Sequence, residues 1–318
     1  KSGRLELTMA GKKFGKRSTA AEVCEGHDLT GKIVVITGAN TGIGKETARV
    51  MAKHGAEIVI GCRSEERAAG AIKDIMDENP SAKISNIPLD LGDLKSIKSF
   101  ADQFLSKYDR IDILINNAGV MACPKATTKD GFDMQFGTNH LGHFYLTKLL
   151  RDTIVKSGPS RIVALSSAAH AMFAAKKGMD FDDLQNEKKY TPWNAYGRSK
   201  LANLLFAREL DRQLREEGAK VTVNAVHPGV IKTELGRHLG GFMKFAMKMI
   251  TALNGKSIPQ GAATTMYGAV AEELEGNGGN YLDDCRIGKS TKAGADMDAA
   301  KKLWEVSEQI IAEKTKDF

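Results

Sequence analysis

The chain has 318 residues, 42% hydrophobic and 27% charged, which argues against a disordered or fibrous protein and suits one large α/β domain with an extension. Its net charge of +7 is concentrated at the start, where Lys1, Arg4, Lys12, Lys13, Lys16 and Arg17 stand against Glu6 alone. No run approaches the ~20 consecutive apolar residues of a bilayer span, and no basic stretch carries the interleaved aromatics of a nucleic-acid surface.

The apolar patterning predicts strands at 32–37, 57–62, 84–89, 111–115, 160–166 and 221–227, with a short one near 279–282. Helices are predicted between them at about 43–54, 64–78, 93–107, 131–157 and 194–217. Ser257 and Gln260 have capping-box spacing, so a further helix starts near Pro259, and a last amphipathic helix covers about 297–313. Such alternation predicts a parallel sheet wrapped by helices, a doubly wound α/β fold of Rossmann type. No repeat or linker divides it, so residues 1–29 are expected to form a basic extension and 30–318 one domain. Two segments break the rhythm: 170–192, and 236–258 with Leu239, Phe242, Met243, Phe245, Met247, Met249 and Ile250. Flexible methionines suit either an adaptable surface for lipophilic ligands or packing against the core.

The first strand runs into Thr37-Gly38-Ala39-Asn40-Thr41-Gly42-Ile43-Gly44 and then a helical pattern. Strand, glycine turn and helix N-terminus make a phosphate cradle, because glycine permits close approach and the helix end offers free N–H groups. The spacing Gly-x-x-x-Gly-x-Gly is a variant of the dinucleotide fingerprint. A nucleotide-triphosphatase loop is excluded, since Ala39 stands where it needs glycine and Glu46 where it needs Ser or Thr.

Far downstream, Tyr196 and Lys200 are four residues apart in a helical stretch, hence on one face. A cation there is expected to lower the phenol's pKa and fit it for proton exchange with a carbonyl or alcohol. At the end of the second strand the chain reads Cys62-Arg63-Ser64, with no carboxylate before Glu65. Arg63 and Ser64 therefore favour NADP over NAD, because a guanidinium accommodates a ribose 2′-phosphate where a carboxylate would accept from the 2′-hydroxyl.

These motifs, with Asn116-Asn117-Ala118-Gly119, Asn139, Ser167 and Pro228-Gly229 in order, make the chain similar to short-chain dehydrogenases/reductases over about residues 28–315. The runs 137–144, 166–170 and 199–203 resemble the retinol-dehydrogenase-like branch. The resemblance implies that Tyr196 is the general acid or base, that Lys200 holds the nicotinamide ribose, that Ser167 rather than Ser166 binds the substrate oxygen, and that Asn139 anchors a relay water. It implies a cofactor cleft of Gly38, Asn40, Thr41, Gly42, Ile43, Gly44, Asp90, Leu91, Asn117, Ala118, Gly119, Pro228, Gly229, Val230 and Thr233 beside Arg63, Ser64, Tyr196 and Lys200. The segment 230–258 is implied to be a substrate lid. The expected activity is NADP(H)-dependent interconversion of a lipophilic carbonyl and its alcohol. An NADP-binding, redox-sensing interaction protein with little turnover is the alternative.

Cys24, Cys62, Cys123 and Cys285 have no framework spacing, so reduced thiols in a cytosol-like compartment are expected. His140 and His143 lie three apart without a third ligand in view, so no metal is expected. The basic tail reads as a solvated leader, with peripheral contact to anionic lipid as the alternative. The chain begins with Lys, so an upstream membrane or organellar segment remains open as an expectation. Leu201, Leu204, Leu205, Phe206 and Leu210 exceed one apolar stripe, which predicts a second buried face and, by resemblance, a homodimer through the two long helices.

Overall fold

A computed structural model describes residues 13–174, 178–231 and 255–318. Eight strands form one sheet: β1 (Ile33–Thr37), β2 (Glu57–Cys62), β3 (Lys83–Pro88), β4 (Ile113–Asn116), β5 (Ser160–Leu165), β6 (Val221–His227), β7 (Tyr281–Asp283) and β8 (Arg286–Ile287). Their order is β3-β2-β1-β4-β5-β6-β7-β8, parallel except for the last pair. β1 is buried along its whole length, as a strand covered on both faces must be. Alternate residues serve opposite faces: Val35, Val59, Leu114 and Ile162 enter one core cluster, and Val34, Ile36, Ile58, Ile60 and Ile115 the other. Strand order reverses between β1 and β4, which opens a crevice beyond their C-terminal ends.

The helices are α1 (Ala20–Cys24), α2 (Gly42–Lys53), α3 (Glu65–Glu78), α4 (Leu94–Leu105), α5 (Met134–Phe136), α6 (Gly142–Lys156), α7 (Ala169–Met172), α8 (Pro192–Glu216), α9 (Ile258–Val270) and α10 (Met297–Thr315). The sequence reading differs at 131–157. The helical run starts only at Met134 and is interrupted by a π turn at Gly137–Leu141, between α5 and α6. Ser257 and Gln260 form the expected capping box at α9. Within the expected extension, residues 13–29 join the main core: Ala20, Val23, Cys24 and Leu29 are buried in one cluster with residues of α2 and α9, and Phe14 packs against it. Thr19 and Glu22 cap α1 reciprocally.

The apolar excess on α8 is covered within the chain, which removes the reason given for a dimer through that face. Trp304 of α10 stacks on Phe206 at 5.9 Å and meets Phe144 edge-on at 4.8 Å. Leu303 and Ile311 of α10 complete the same cluster. Ser307 bonds the His140 ring at 3.0 Å, and Glu308 pairs with Lys148 at 2.6 Å. Among the described residues, no helix is long and apolar enough to cross a membrane. The expected Met-rich excursion and Thr233 lie outside the described residues, which resume after a close-packed base. There Ile231 pairs with Lys256, and the Lys256 ammonium meets Asp284 at 2.6 Å.

Candidate active site

The expected residues that are described fall along the C-terminal edge of the sheet and the helices that face it. After β1, Gly38 takes φ +67° and Gly42 φ +59°, backbone conformations that favour glycine. A Cβ on Gly38 would lie 2.8 Å from that of Ala118, and one on Gly44 would lie 2.5 Å from the Asn117 amide. The turn therefore packs directly on the loop after β4. Thr41 precedes α2 without capping it through its side chain, and the first turn of α2 carries no acid. That leaves helix N–H groups for an anion, so the cradle fits the diphosphate of a dinucleotide. Ile43 lies half-buried on the first turn of α2, and Asn40 half-buried in the loop before it.

Beyond β2, Arg63 is exposed, and among the described residues no ion pair engages it. Ser64 caps α3 by accepting from the Arg67 amide at 3.3 Å. Asp90 is half-buried and accepts from the Gly92 amide at 3.0 Å, while Leu91 is buried, its carbonyl packed where Gly142 lacks a Cβ. Asn116 ends β4 and donates to Thr147 at 3.0 Å, a packing contact rather than a cleft group. Asn117, Ala118 and Gly119 follow, and the Asn117 amide donates to the carbonyls of Thr37 and Gly38 at 2.7 and 3.2 Å. After β6, Pro228 and Gly229 turn the chain, Gly229 at φ +94° with no room for a Cβ beside Lys256. Val230 is exposed.

The two serines after β5 have separate tasks. Ser166 is buried and donates to the Lys200 carbonyl at 2.7 Å, which fixes α8 to the sheet. Ser167 is half-buried, its hydroxyl accepts from the Ala169 amide at 3.2 Å, and it neighbours the Tyr196 phenol. Burial pushes that phenol up to about 12, against the neighbouring Ser167 hydroxyl, which pulls it down. Burial lowers the Lys200 amine to about 8. The expectation that Lys200 lowers the phenol is not met, because the ammonium is directed at the Leu165 carbonyl, 2.9 Å away. It stands 5.7 Å from the centre of the Tyr196 ring.

Asn139 lies in the π turn, a feature that often marks functional sites. Its side chain holds the loop after β4 by accepting from the Val120 amide at 2.8 Å and donating to the Val120 carbonyl at 2.9 Å. It also donates to Ser199 at 2.9 Å.

Sequence reasoning missed the wall around the phenol. Met121, Ala122, Ala169 and Tyr196 form a separate apolar cluster, with Phe173 and Trp193 against it. Phe173 and Trp193 pack as tilted rings at 4.9 Å and 34°, and Trp193 meets Tyr196 edge-on at 6.3 Å. Arg198 had no assigned role. It is buried on α8 and holds the loop before that helix by donating to the Asn186 side chain at 2.8 Å, to the Asp180 carbonyl at 3.2 Å and to the Asp183 carbonyl. The sequence shows an arginine two residues from Tyr196 on one helix, but only the fold shows that it is buried. Among the described residues, no cluster of His, Cys, Asp and Glu could hold a metal ion.

Comparison with known proteins agrees with this fold. The short chain dehydrogenase family profile matches residues 32–178 and 184–241. Human retinol dehydrogenase 13 is 46% identical over 288 residues, covering 89% of this chain and 85% of the relative. The chloroplastic short-chain dehydrogenase TIC 32 B of Brassica napus is 42% identical over 303 residues, 94% of each chain. A crystal structure of an uncharacterized protein from Mycobacterium paratuberculosis superposes with a TM-score of 0.71 at 33% identity, covering 92% of this chain and 96% of that one. With its doubly wound sheet, glycine turn and buried Tyr196–Lys200 pair, the chain belongs to the short-chain dehydrogenase family of nicotinamide-dependent oxidoreductases.

Proposed function

We propose that this protein is an NADP(H)-dependent reductase that interconverts a lipophilic aldehyde or ketone and its alcohol. The observation that carries the proposal is the Tyr196 phenol, beside Ser167 and set in an apolar wall of Met121, Ala122, Ala169, Phe173 and Trp193. Such a wall favours an apolar substrate, while the phenol and Ser167 supply the two polar groups a carbonyl oxygen needs. The similarity to retinol dehydrogenases points to the same substrate class.

The bound nicotinamide would supply or take up the hydride at the substrate carbon. Tyr196 would give its proton to the forming alkoxide during reduction and recover one during oxidation. With its proton held up to about pH 12, the phenol is in the acid form at neutral pH. Ser167 would orient the carbonyl oxygen and stabilise the charge that develops on it. Lys200 would hold the ribose hydroxyls, and Asn139 would keep the relay to solvent in place. The turn of Gly38, Asn40, Thr41, Gly42, Ile43 and Gly44 would hold the diphosphate, and Asp90 and Leu91 the adenine. Asn117, Ala118, Gly119, Pro228, Gly229 and Val230 would line the rest of the cleft, with Thr233 at the carboxamide. Arg63 carries the NADP preference, since its guanidinium is free to form charge-assisted bonds to a 2′-phosphate, beside the Ser64 hydroxyl.

The test is turnover with NADPH and with NADH over aldehydes of increasing chain length, in wild type and Trp193→Ala. The proposal expects preference for NADPH and a rise of about tenfold or more in KM for long aldehydes in the variant, with short ones little affected. Equal use of both cofactors would remove the role of Arg63, and equal effects on all chain lengths would remove that of the wall.

A further inference from the structure

His143 is buried on α6, and both of its ring nitrogens are engaged. Nε2 lies 2.8 Å from the Thr37 hydroxyl at the end of β1, and Nδ1 lies 3.0 Å from the main-chain carbonyl of Asn139 in the π turn. The surroundings fix the proton. Thr37 Oγ1 already accepts from the amides of Asn117 and Ala118 at 2.9 and 3.0 Å, so its hydrogen is left to donate. The Ile115 carbonyl offers a poor acceptor at 3.5 Å, and His143 Nε2 a good one at 2.8 Å. The opposite tautomer would turn a nitrogen lone pair onto the Asn139 carbonyl. Hence Nε2 accepts, Nδ1 carries the hydrogen, and the ring is neutral.

The polarity continues beyond the ring. Asn139 Nδ2 donates to Ser199 Oγ at 2.9 Å, and Ser199 Oγ donates to the Tyr196 carbonyl at 2.8 Å. A buried succession thus runs Thr37, His143, Asn139, Ser199, Tyr196, every donor pointing the same way, with the covalent frame of Asn139 joining its main-chain carbonyl to its side-chain amide. It begins on the residue that opens the glycine turn and ends on the main chain of the proposed acid. Burial lowers the imidazole to about 4, reinforced by the neighbouring Lys200 charge, so the neutral ring persists across the working range.

We infer that His143 is a positioning residue that holds the Asn139 turn, and through it the Tyr196 helix, in register with the cofactor cradle. The inference rests on the reading of Tyr196 given above, but the state of the imidazole does not. A buried ring with two partners is irreplaceable by any one side chain, yet its two bonds can be separated. Asparagine puts an amide near the Nδ1 position and keeps the Asn139 bond; glutamine reaches the Nε2 position and keeps the Thr37 bond; leucine keeps neither.

Two measurements test it. In wild-type protein labelled with 15N-histidine, the His143 resonances, assigned by their loss in His143→Asn, should show a protonated Nδ1 and a bare Nε2 at neutral pH. An Nε2–H tautomer or an imidazolium would overturn the inference without reference to activity. In turnover assays, His143→Leu should lower kcat at least about tenfold with KM for NADPH within about threefold. His143→Asn should recover most of that loss and His143→Gln little of it. Wild-type kcat in the leucine variant, or equal recovery by Asn and Gln, would overturn it. Should the wild type turn over nothing, the activity proposal fails and hydrogen exchange replaces kcat. Faster exchange over 134–145 and 196–203 in the Leu and Gln variants, but not in Asn, upholds the inference, and equal exchange in all three overturns it.

Discussion

The Lys200 ammonium donates to the Leu165 carbonyl at 2.9 Å, so the cation of the Tyr196–Lys200 pair is tethered to the end of β5 rather than to the phenol. Burial moves the two groups toward their neutral forms, the amine down to about 8 and the phenol up to about 12. The lysine has a consequence for stability. Between about pH 8 and the unfolded lysine value near 10.4, the unfolded chain binds more protons than the folded one, so stability rises with pH through that window. Lys200→Met lacks this rise. Its advantage over wild type should be largest at pH 7 and shrink by on the order of 2–3 kcal/mol by pH 10.5. Cofactor-free melting curves of both proteins at the two pH values measure it; a constant difference would mean that Lys200 keeps an ordinary pKa.

Tyr196→Phe removes the proposed proton and keeps the ring that meets Trp193. Turnover should fall about 100-fold or more, with NADPH affinity within about threefold. Retention of more than about a tenth of the wild-type rate would mean that another group supplies the proton.

Arg63→Asp replaces an exposed guanidinium at the end of β2 by a carboxylate. The ratio of kcat/KM for NADPH to that for NADH should drop by about 10–100-fold, the worth of charge-assisted bonds to one phosphate. An unchanged ratio would leave Arg63 an ordinary surface residue.

Trp304 covers the face formed by Phe206 and Phe144. Since α10 fills that face, light scattering of wild type at micromolar concentration should give the mass of one chain. Trp304→Ala should cost about 2–4 kcal/mol in urea unfolding, below the full value for a buried aromatic because the indole is half-exposed. A wild-type mass of two chains would require an interface elsewhere.

Local patterns made much of this legible. β1 reads as the four-residue apolar run Ile33–Ile36, the glycine turn follows it at once, and Tyr196 and Lys200 share a helix face by spacing alone. The π turn at Gly137–Leu141 was not legible, because a wider hydrogen-bonded turn inside a helical run has no residue type of its own. The destination of the apolar residues on α8 was hidden for another reason. Periodicity shows that Phe206 is buried, but not that its cover arrives from Trp304 at the far end of the chain. His143 was weighed only as a metal ligand beside His140. Its four-residue spacing from Asn139 was visible, but the hydroxyl of Thr37 reaches it only through the tertiary fold.

The central claim is that this site transfers hydride to a lipophilic carbonyl under control of Tyr196. The direct measurement uses NADPH deuterated at the transferable nicotinamide position, a lipophilic aldehyde, and mass spectrometry of the product. Wild type should yield alcohol carrying deuterium on the carbinol carbon, one equivalent per NADPH consumed, and Tyr196→Phe almost none. Tight NADPH binding with no labelled alcohol from any aldehyde or ketone in a broad lipophilic panel would contradict the claim and leave a nucleotide-sensing binding protein in its place.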